Sequence, residues 1–267
     1  MADIAQPFPP VMIEDRAFSR VILGHNPFLG YSYYSEALSA YYAEKFSDPQ
    51  RIEEVIRAGI GAGVRGMMLS LDSPRAELIV TALTRACQAT GVQIPVIAIL
   101  GAGFDQLRDV LRRVNAQVGV LHGQITDALY RKSTRDFAPE FAEHMARMRV
   151  MGLVPGASTH NAGETVPAMA DYDVAVVNTP VNRIGWRMCP CPEDALRALV
   201  NTDKKVIAMK PLAMGRVPPA EGMEYALARP EVDIVLAGAA SPEEARETFG
   251  AARRALQAAV GDMSPAS

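Results

Sequence analysis

The chain has 267 residues, of which 49% are hydrophobic and 21% are charged, and its formal net charge is −3. This length suffices for one large α/β domain with a substantial buried core. The weak negative charge excludes the basic face of a nucleic-acid-binding protein, and no apolar run is long enough for a membrane helix. We therefore expect a small-molecule partner, and the absence of an apolar leader near the N-terminus predicts a cytoplasmic location.

One pattern recurs along the chain: an apolar, β-rich run, a turn marked by Gly or Pro, and a helical segment. Continuous apolar runs indicate strands buried on both faces of a parallel sheet, and eight such units in succession predict a closed (β/α)8 TIM barrel. A doubly wound open sheet is the alternative. The predicted strands are residues 20–23, 66–71, 96–100, 118–121, 153–157, 174–177, 206–209 and 234–237.

The repeats predict a single domain over residues 1–267, divided into an N-terminal lead-in (1–19), the barrel (20–260) and a disordered tail (261–267). Several helix starts place Asp or Ser directly before Pro. Asp48, Ser73 and Ser241 are predicted to cap these helices, because the proline that follows each of them suits the first helical position.

Polar side chains end several predicted strands. Three of the four histidines, His25, His122 and His160, close apolar runs, and Asp72 and Lys210 follow two further strands. Because strand C-termini share one face of a TIM barrel, we expect these side chains to surround one pocket. For each of them the alternative is a hydrogen-bonded residue at a strand-to-loop junction. The predicted catalytic residues are His122, Lys210, Asp72 and His25.

Lys210 and Asp72 supply the predicted proton chemistry. A lysine at the end of an apolar strand is either desolvated, which lowers its pKa toward a useful range, or placed at the rim in contact with water or a counter-ion. Asp72 is either a base or the cap of the helix that follows it. Together with the three histidines, Asp72 also offers the ligand types of a divalent metal site, as an alternative to the favoured absence of a metal.

The first βα connection, residues 30–47, holds five of the eight tyrosines. Two interpretations stay open: a lid that supplies a phenol to the site, or a short helix that packs aromatic residues on the rim. Three arginines after the sixth and seventh strands, at 183, 187 and 216, suggest an anionic ligand, with solvated loop residues as the alternative. The predicted substrate-binding residues are Asn26, Tyr33, Tyr34, His160, Asn161, Asn182, Arg183, Trp186 and Arg216.

The order of motifs resembles the aldo-keto reductases. FSRVILGHNPFLG looks like their first strand, VGVLHG like their fourth strand with its histidine, and MGLVPGASTHNAG like their fifth-strand turn. AMKPLAMGR is similar to the seventh strand, and LAGAASPEEARET to the last strand with its helix start. The resemblance implies an aldo-keto-reductase-like barrel and NADP(H)-dependent carbonyl reduction. The cofactor-binding residues that it implies are Pro211, Leu212, Gly215, Gly238 and Ser241.

The catalytic groups of that family are mostly missing. The resemblance implies an Asp near Met68, a Tyr near Ser73 and a Lys on the third strand, but of the four catalytic residues only His122 is present. Met209 stands where the family has a tyrosine stacked on the nicotinamide. Because the missing tyrosine is the proton donor and its Lys and Asp partners tune its pKa, these losses argue against ordinary carbonyl reduction.

We therefore predict a non-redox acid–base enzyme, a lyase or isomerase, that acts on a small oxygenated and anionic carbonyl or hydroxy substrate. The alternative is a divergent NAD(P)H-dependent reductase in which His122 polarises a carbonyl and a lid tyrosine or Lys210 donates the proton. No cofactor is favoured, with NADP(H) or a divalent metal as the alternatives, and the sequence leaves the oligomeric state open.

Overall fold

The structure, a computed structural model, describes residues 4–261 of the chain. Strands and helices alternate along this part of the chain. The strands are β1 (Pro10–Ile13), β2 (Arg16–Ser19), β3 (Val21–Gly24), β4 (Met67–Ser70), β5 (Val96–Leu100), β6 (Ala116–Leu121), β7 (Tyr130–Arg131), β8 (Asp136–Phe137), β9 (Val154–Ser158), β10 (Val176–Pro180), β11 (Lys205–Met209) and β12 (Ile234–Gly238). The helices are α1 (Glu36–Lys45), α2 (Pro49–Gly61), α3 (Ala76–Thr90), α4 (Arg108–Arg113), α5 (Gly123–Leu129), α6 (Pro139–Val150), α7 (Ala162–Ala168), α8 (Pro192–Val200), α9 (Pro219–Leu227) and α10 (Pro242–Gly261).

Eight parallel strands close into a barrel in the order β3, β4, β5, β6, β9, β10, β11 and β12, with β12 paired to β3. The predicted TIM barrel is therefore confirmed, and the open-sheet alternative is wrong. All eight predicted strands occur within a few residues of their predicted bounds. The sixth begins at Val176 instead of Val174, because the Val174 N–H is bonded to the Tyr172 carbonyl within a turn.

The barrel interior is a packed core that is closed at one end. Inward-facing side chains such as Met68, Ile97 and Ile207 form a cluster that also includes Ile13 and Phe18 of the β1–β2 hairpin. The hairpin closes the end at which the strands begin, so a polar site has room only at the end where they finish.

Two of the three predicted caps form at helix starts. Asp48 accepts a hydrogen bond from the Gln50 N–H of α2 at 2.8 Å, and Ser241 caps α10. Ser73 is the exception, because its hydroxyl accepts the Arg75 N–H inside a turn and α3 begins only after that turn.

The ends of the chain are only partly described. Residues 1–3 of the predicted lead-in lie outside the described residues, as does the predicted tail apart from position 261, which ends α10. Within residues 4–261, no helix is both long enough and apolar enough to cross a membrane. The cytoplasmic location stays a prediction.

Candidate active site

The C-terminal ends of the barrel strands place the five predicted polar side chains at one mouth. His25 follows β3, Asp72 follows β4, His122 follows β6, His160 follows β9 and Lys210 follows β11. The groups influence each other electrostatically: the pKa of His25 responds to Asp72, His122 and Lys210, and that of His160 responds to His122 and Lys210. We define these five residues as the mouth cluster.

Two histidines of the mouth cluster are neutral near pH 7. Burial lowers the pKa of His25 to about 4. Burial, followed by the charges of Lys210 and Arg187, lowers the pKa of His160 to about 3. His25 Nδ1 and His160 Nε2 are buried and have no hydrogen-bond partner among the described residues. An unpaired buried polar atom destabilises the fold, so these two nitrogens are candidates to bind a polar ligand.

The third histidine, His122, has a defined tautomer. Its Nδ1 accepts a hydrogen bond from the Gln124 N–H at 3.3 Å and thereby caps α5. In the neutral ring the proton therefore lies on Nε2, which is free to donate to a substrate oxygen. Gly123 lets α5 begin close to the mouth, because a Cβ at this position would lie 3.3 Å from His160 Nδ1.

Asp127 on α5 supports His160 but was missed by the sequence analysis. Its carboxylate accepts the Thr159 hydroxyl at 2.5 Å and the His160 backbone N–H at 3.1 Å. The His160 Nδ1 lies 3.9 Å from this carboxylate, but the ring is neutral, so the contact is not an ion pair. The only signal in the sequence is an acidic residue shortly after a histidine that ends a strand, in HGQITD.

Lys210 has a left-handed backbone conformation and an amine with a lowered pKa. Its φ is +59°, and Ala213, Met214 and Gly215 just after it also have positive φ. This region disfavours residues with a Cβ, and such strain is concentrated at functional sites. The Lys210 Nζ lies 3.4 Å from Met209 Sδ, and burial together with the charge of Arg187 lowers its pKa to about 7.

The connection between β3 and α2 covers the mouth cluster. It contains the helix α1, as one interpretation predicted, but it also extends Tyr33 over the mouth, as the other predicted. The Tyr33 ring centroid lies 4.5 Å from Lys210 Nζ and 5.5 Å from the Trp186 ring, and burial raises the pKa of its hydroxyl. Tyr34 is 67% exposed, and its contact with a substrate stays a prediction.

The covering connection is tied down by Arg75. The guanidinium group donates hydrogen bonds to the carbonyls of Phe28, Phe46 and Ala43. Gly30 allows the chain to turn beneath α1, since its φ is +72° and a Cβ there would lie 2.9 Å from Ala43. These contacts hold the segment that carries Tyr33 against the barrel.

Asp72 faces the mouth and does not cap α3. Its Oδ1 accepts the Ser70 hydroxyl at 2.6 Å, and α3 has no side-chain cap. A Cβ at Gly101 would lie 2.5 Å from Asp72 Oδ2, so the carboxylate rests against the bare backbone at the end of β5. Of the two interpretations of Asp72, the cap is therefore wrong.

Two predicted substrate-binding amides have structural partners instead. The Asn182 side chain is buried and bonds both the N–H and the carbonyl of Trp186, at 2.8 and 2.9 Å. Asn161 donates to Glu164 at 2.8 Å in the first turn of α7. Asn182 shapes the turn that carries Trp186, and Asn161 holds the first turn of α7.

Two predicted arginines are likewise not at the mouth. Arg183 pairs with Glu221 of α9 at 2.8 Å on the surface, and Arg216 is exposed without a side-chain contact to the mouth cluster in the described part of the chain. Arg187 points there instead: its Cζ lies 5.3 Å from both the Tyr33 and the Trp186 ring centroids.

The described residues do not supply the ligands of the metal site that the sequence offered as an alternative. Across residues 4–261, no three His, Cys, Asp or Glu side chains are close enough together to bind a metal ion. The three histidines follow different strands around the mouth, which separates their ring nitrogens. The four residues proposed for a metal therefore do not fit one.

The helix start that the resemblance implies for a dinucleotide is partly occupied by its own side chains. At the start of α10, Ser241 Oγ accepts the Glu244 N–H at 3.1 Å, and the Glu244 carboxylate accepts the Ala240 N–H at 2.8 Å. The N–H groups of Ala240 and Glu244 are thus occupied, and the Glu244 carboxylate repels an anion, whereas the Glu243 carboxylate is paired with Arg246 at 3.0 Å.

The rest of the implied cofactor site consists of neutral residues. Pro211 and Leu212 pack against Gly222 of α9, where a Cβ would lie 2.8 Å from Leu212 Cδ2. Gly215 and Gly238 add no charge. The cations near the start of α10 come from other residues: Arg246 pairs with Glu243 at 3.0 Å, and Lys45 and Arg51 line a cavity together with Ser241 and Glu243.

Comparison with known proteins identifies the fold of the chain. No protein-family model and no curated protein matches the chain. A Pseudomonas aeruginosa protein provisionally named an aldo-keto reductase has a TM-score of 0.66 and 16% identity, over 96% of this chain and 98% of its own. The chain has the aldo-keto reductase fold. The family resemblance of the motifs is thereby confirmed at the level of structure.

Two further solved structures, both named as aldo-keto reductases, have a similar fold. A thermostable aldo-keto reductase in complex with the inhibitor epalrestat has a TM-score of 0.62 and 14% identity, over 92% of this chain and 94% of its own. The aldose reductase of Schistosoma japonicum has a TM-score of 0.59 and 14% identity, over 88% and 84%. At this level of identity the likeness establishes the fold and leaves the reaction open.

Proposed function

We propose that the chain is an enzyme that moves protons to and from a small carbonyl or hydroxy compound at the barrel mouth. The observation that carries the proposal is the Lys210 amine, whose pKa is about 7 and which lies beneath Tyr33 among three imidazoles. Near neutral pH such an amine is present in both protonation states. It can therefore act as a base and as an acid within one turnover.

Four members of the mouth cluster, and the Tyr33 side chain above it, have roles consistent with their environments. Lys210 removes a proton from the carbon beside the carbonyl, and His122 donates a hydrogen bond from Nε2 to the oxygen on which negative charge develops. His25 and His160, both neutral, orient the polar groups of the substrate. Tyr33 covers the mouth and limits the access of water.

The reaction class is a choice between the two predicted from the sequence. The structural neighbours favour a reductase over a lyase or isomerase. The start of α10 argues the other way, because the Glu244 carboxylate accepts the Ala240 N–H at the helix start that the resemblance implies for the cofactor. We keep the lyase or isomerase as the first proposal, since the α10 start belongs to this chain and neighbours at 14–16% identity share only its fold.

The second candidate function is an NAD(P)H-dependent carbonyl reductase, supported by the fold. Trp186 is the only tryptophan and lies at the mouth, so its fluorescence reports on ligands there. Titration with NADPH and with NADH decides between the classes. Saturable quenching of Trp186, together with oxidation of the bound nicotinamide by a carbonyl compound, would establish the reductase and exclude our first proposal.

The acid–base proposal is tested by solvent exchange. Pyruvate, hydroxyacetone and glyceraldehyde are incubated with the protein in D2O, and loss of the proton signals beside the carbonyl is followed by NMR. We expect catalysed exchange with at least one of them, abolished in Lys210→Met and retained in the surface variant Lys132→Met. Exchange that is equally fast in Lys210→Met, or no catalysed exchange with any of the three compounds, contradicts the proposal.

A further inference from the structure

We infer that Arg187 binds the carboxylate of the substrate, and that the mouth therefore selects short oxo- or hydroxy-carboxylates. This inference rests on the proposed function, because it names the substrate class of the same site. Arg187 is one of the three arginines for which the sequence suggests an anionic ligand.

The backbone directs Arg187 toward the mouth. Asn182 fixes the turn through Trp186, and Arg187 follows with a φ of +58°, in the left-handed region. The guanidinium carbon lies 5.3 Å from the ring centroids of both Tyr33 and Trp186. A guanidinium group held beside aromatic rings keeps its charge and loses side-chain freedom, which prepares it to bind an anion.

The positive charge at the mouth is not balanced. Among residues 4–261, neither Arg187 nor Lys210 has a carboxylate within ion-pair distance. Other arginines do, since Arg149 pairs with Glu14 and Asp173, at 2.5 and 2.7 Å. Unlike Arg149, the Arg187 guanidinium is thus without a carboxylate partner in the described part of the chain and is available to a ligand.

The nearest carboxylate of α5 does not supply the missing charge. Asp127 accepts the Thr159 hydroxyl and the His160 N–H. Asp72 is held by the Ser70 hydroxyl on the other side of the mouth, after β4. We therefore assign the missing negative charge beside Arg187 to an anionic ligand.

The ligand is a carboxylate by charge and by size. When the Lys210 amine acts as a base it is neutral, so the Arg187 guanidinium is the cation that remains, and it matches a single negative charge better than the two charges of a phosphate. Lys210 Nζ and Arg187 Cζ lie 4.5 and 5.3 Å from the centre of the same Tyr33 ring. A molecule that reaches both side chains therefore needs only a few carbons between its carboxylate and its reacting oxygen.

The test is a binding titration followed by Trp186 fluorescence and by calorimetry. The probes are pyruvate, 2-oxobutanoate and lactate, with pyruvamide as the neutral isostere of pyruvate and inorganic phosphate as the competing anion. We expect saturable binding of at least one acid, and binding of pyruvamide weaker than that of pyruvate by about tenfold or more. Arg187→Gln should remove this preference for the acid, and Arg183→Gln, on the surface, should keep it.

Three results would overturn the inference: no saturable binding by any of the three acids, equal binding of pyruvate and pyruvamide, or unchanged acid binding in Arg187→Gln. Phosphate that binds more tightly than every acid would also overturn it, in favour of a phosphorylated ligand. Acid binding that depends on Arg187 but without solvent exchange of the bound acid would leave the inference standing and refute the proposed proton transfer.

Discussion

Substitution of Lys210 by Met should make the protein more stable while removing its activity. The pKa of Lys210 falls from 10.5 to about 7 on folding, chiefly because of burial. At about 1.4 kcal/mol per pH unit, the protonated amine destabilises the fold by at most about 5 kcal/mol. Relaxation and water entry reduce this limit, so at pH 6 we expect Lys210→Met to be more stable by roughly 2 to 5 kcal/mol.

The stabilisation by Lys210→Met depends on pH, because the wild-type amine titrates at a lower pH in the folded chain than in the unfolded chain. Between pH 7 and 10.5 the unfolded chain holds a proton on this amine that the folded chain lacks, so the free energy of unfolding of the wild type rises with pH across that window. The stabilisation by Lys210→Met should therefore shrink by about half between pH 6 and pH 9.

Urea unfolding at both pH values, followed by Trp186 fluorescence and circular dichroism, measures the change. Lys132→Met is the matched control, because Lys132 is exposed and pairs with Glu164 on the surface; it should keep the pH dependence of the wild type. A Lys210→Met protein that is less stable than wild type at pH 6, or equally stabilised at both pH values, refutes the argument.

Two further substitutions test the surroundings of the cluster. Gly101→Ala should displace the Asp72 carboxylate and lower turnover at least tenfold, and Gly103→Ala, which has open space around it, should not; equal activity of the two variants argues against a role for Asp72. Asp127→Asn replaces one acceptor by a donor, which breaks a bond to the Thr159 hydroxyl or to the next backbone N–H and should lower the free energy of unfolding by about 1–3 kcal/mol in urea titrations. Unchanged stability would mean that this carboxylate does not hold the strand end.

The barrel and the mouth cluster could be predicted because each depends on local sequence. A residue such as His122 or Lys210 directly follows its strand, so the strand prediction alone fixes where it lies in a closed barrel. Asp127 was missed because it lies inside a helix, where the strand rule gives no information.

The loop residues could not be predicted from the sequence, because their side-chain directions depend on the conformation of the loop. Arg183 and Arg187 are four residues apart, yet the turn fixed by Asn182 sends one to the surface of α9 and the other to the mouth. The start of α10 depends on a side-chain conformation in the same way. Whether Glu244 binds its own helix start or leaves it open is decided by a rotamer that the sequence does not encode directly.

The pKa of the Lys210 amine is the most direct test of the proposed site. Competitive acetylation with acetic anhydride between pH 5 and 11, followed by peptide mapping, gives the titration midpoint of each lysine. We predict that Lys210 becomes half reactive at about pH 7. A midpoint near 10.5, the ordinary value for lysine, would contradict a desolvated amine at the mouth.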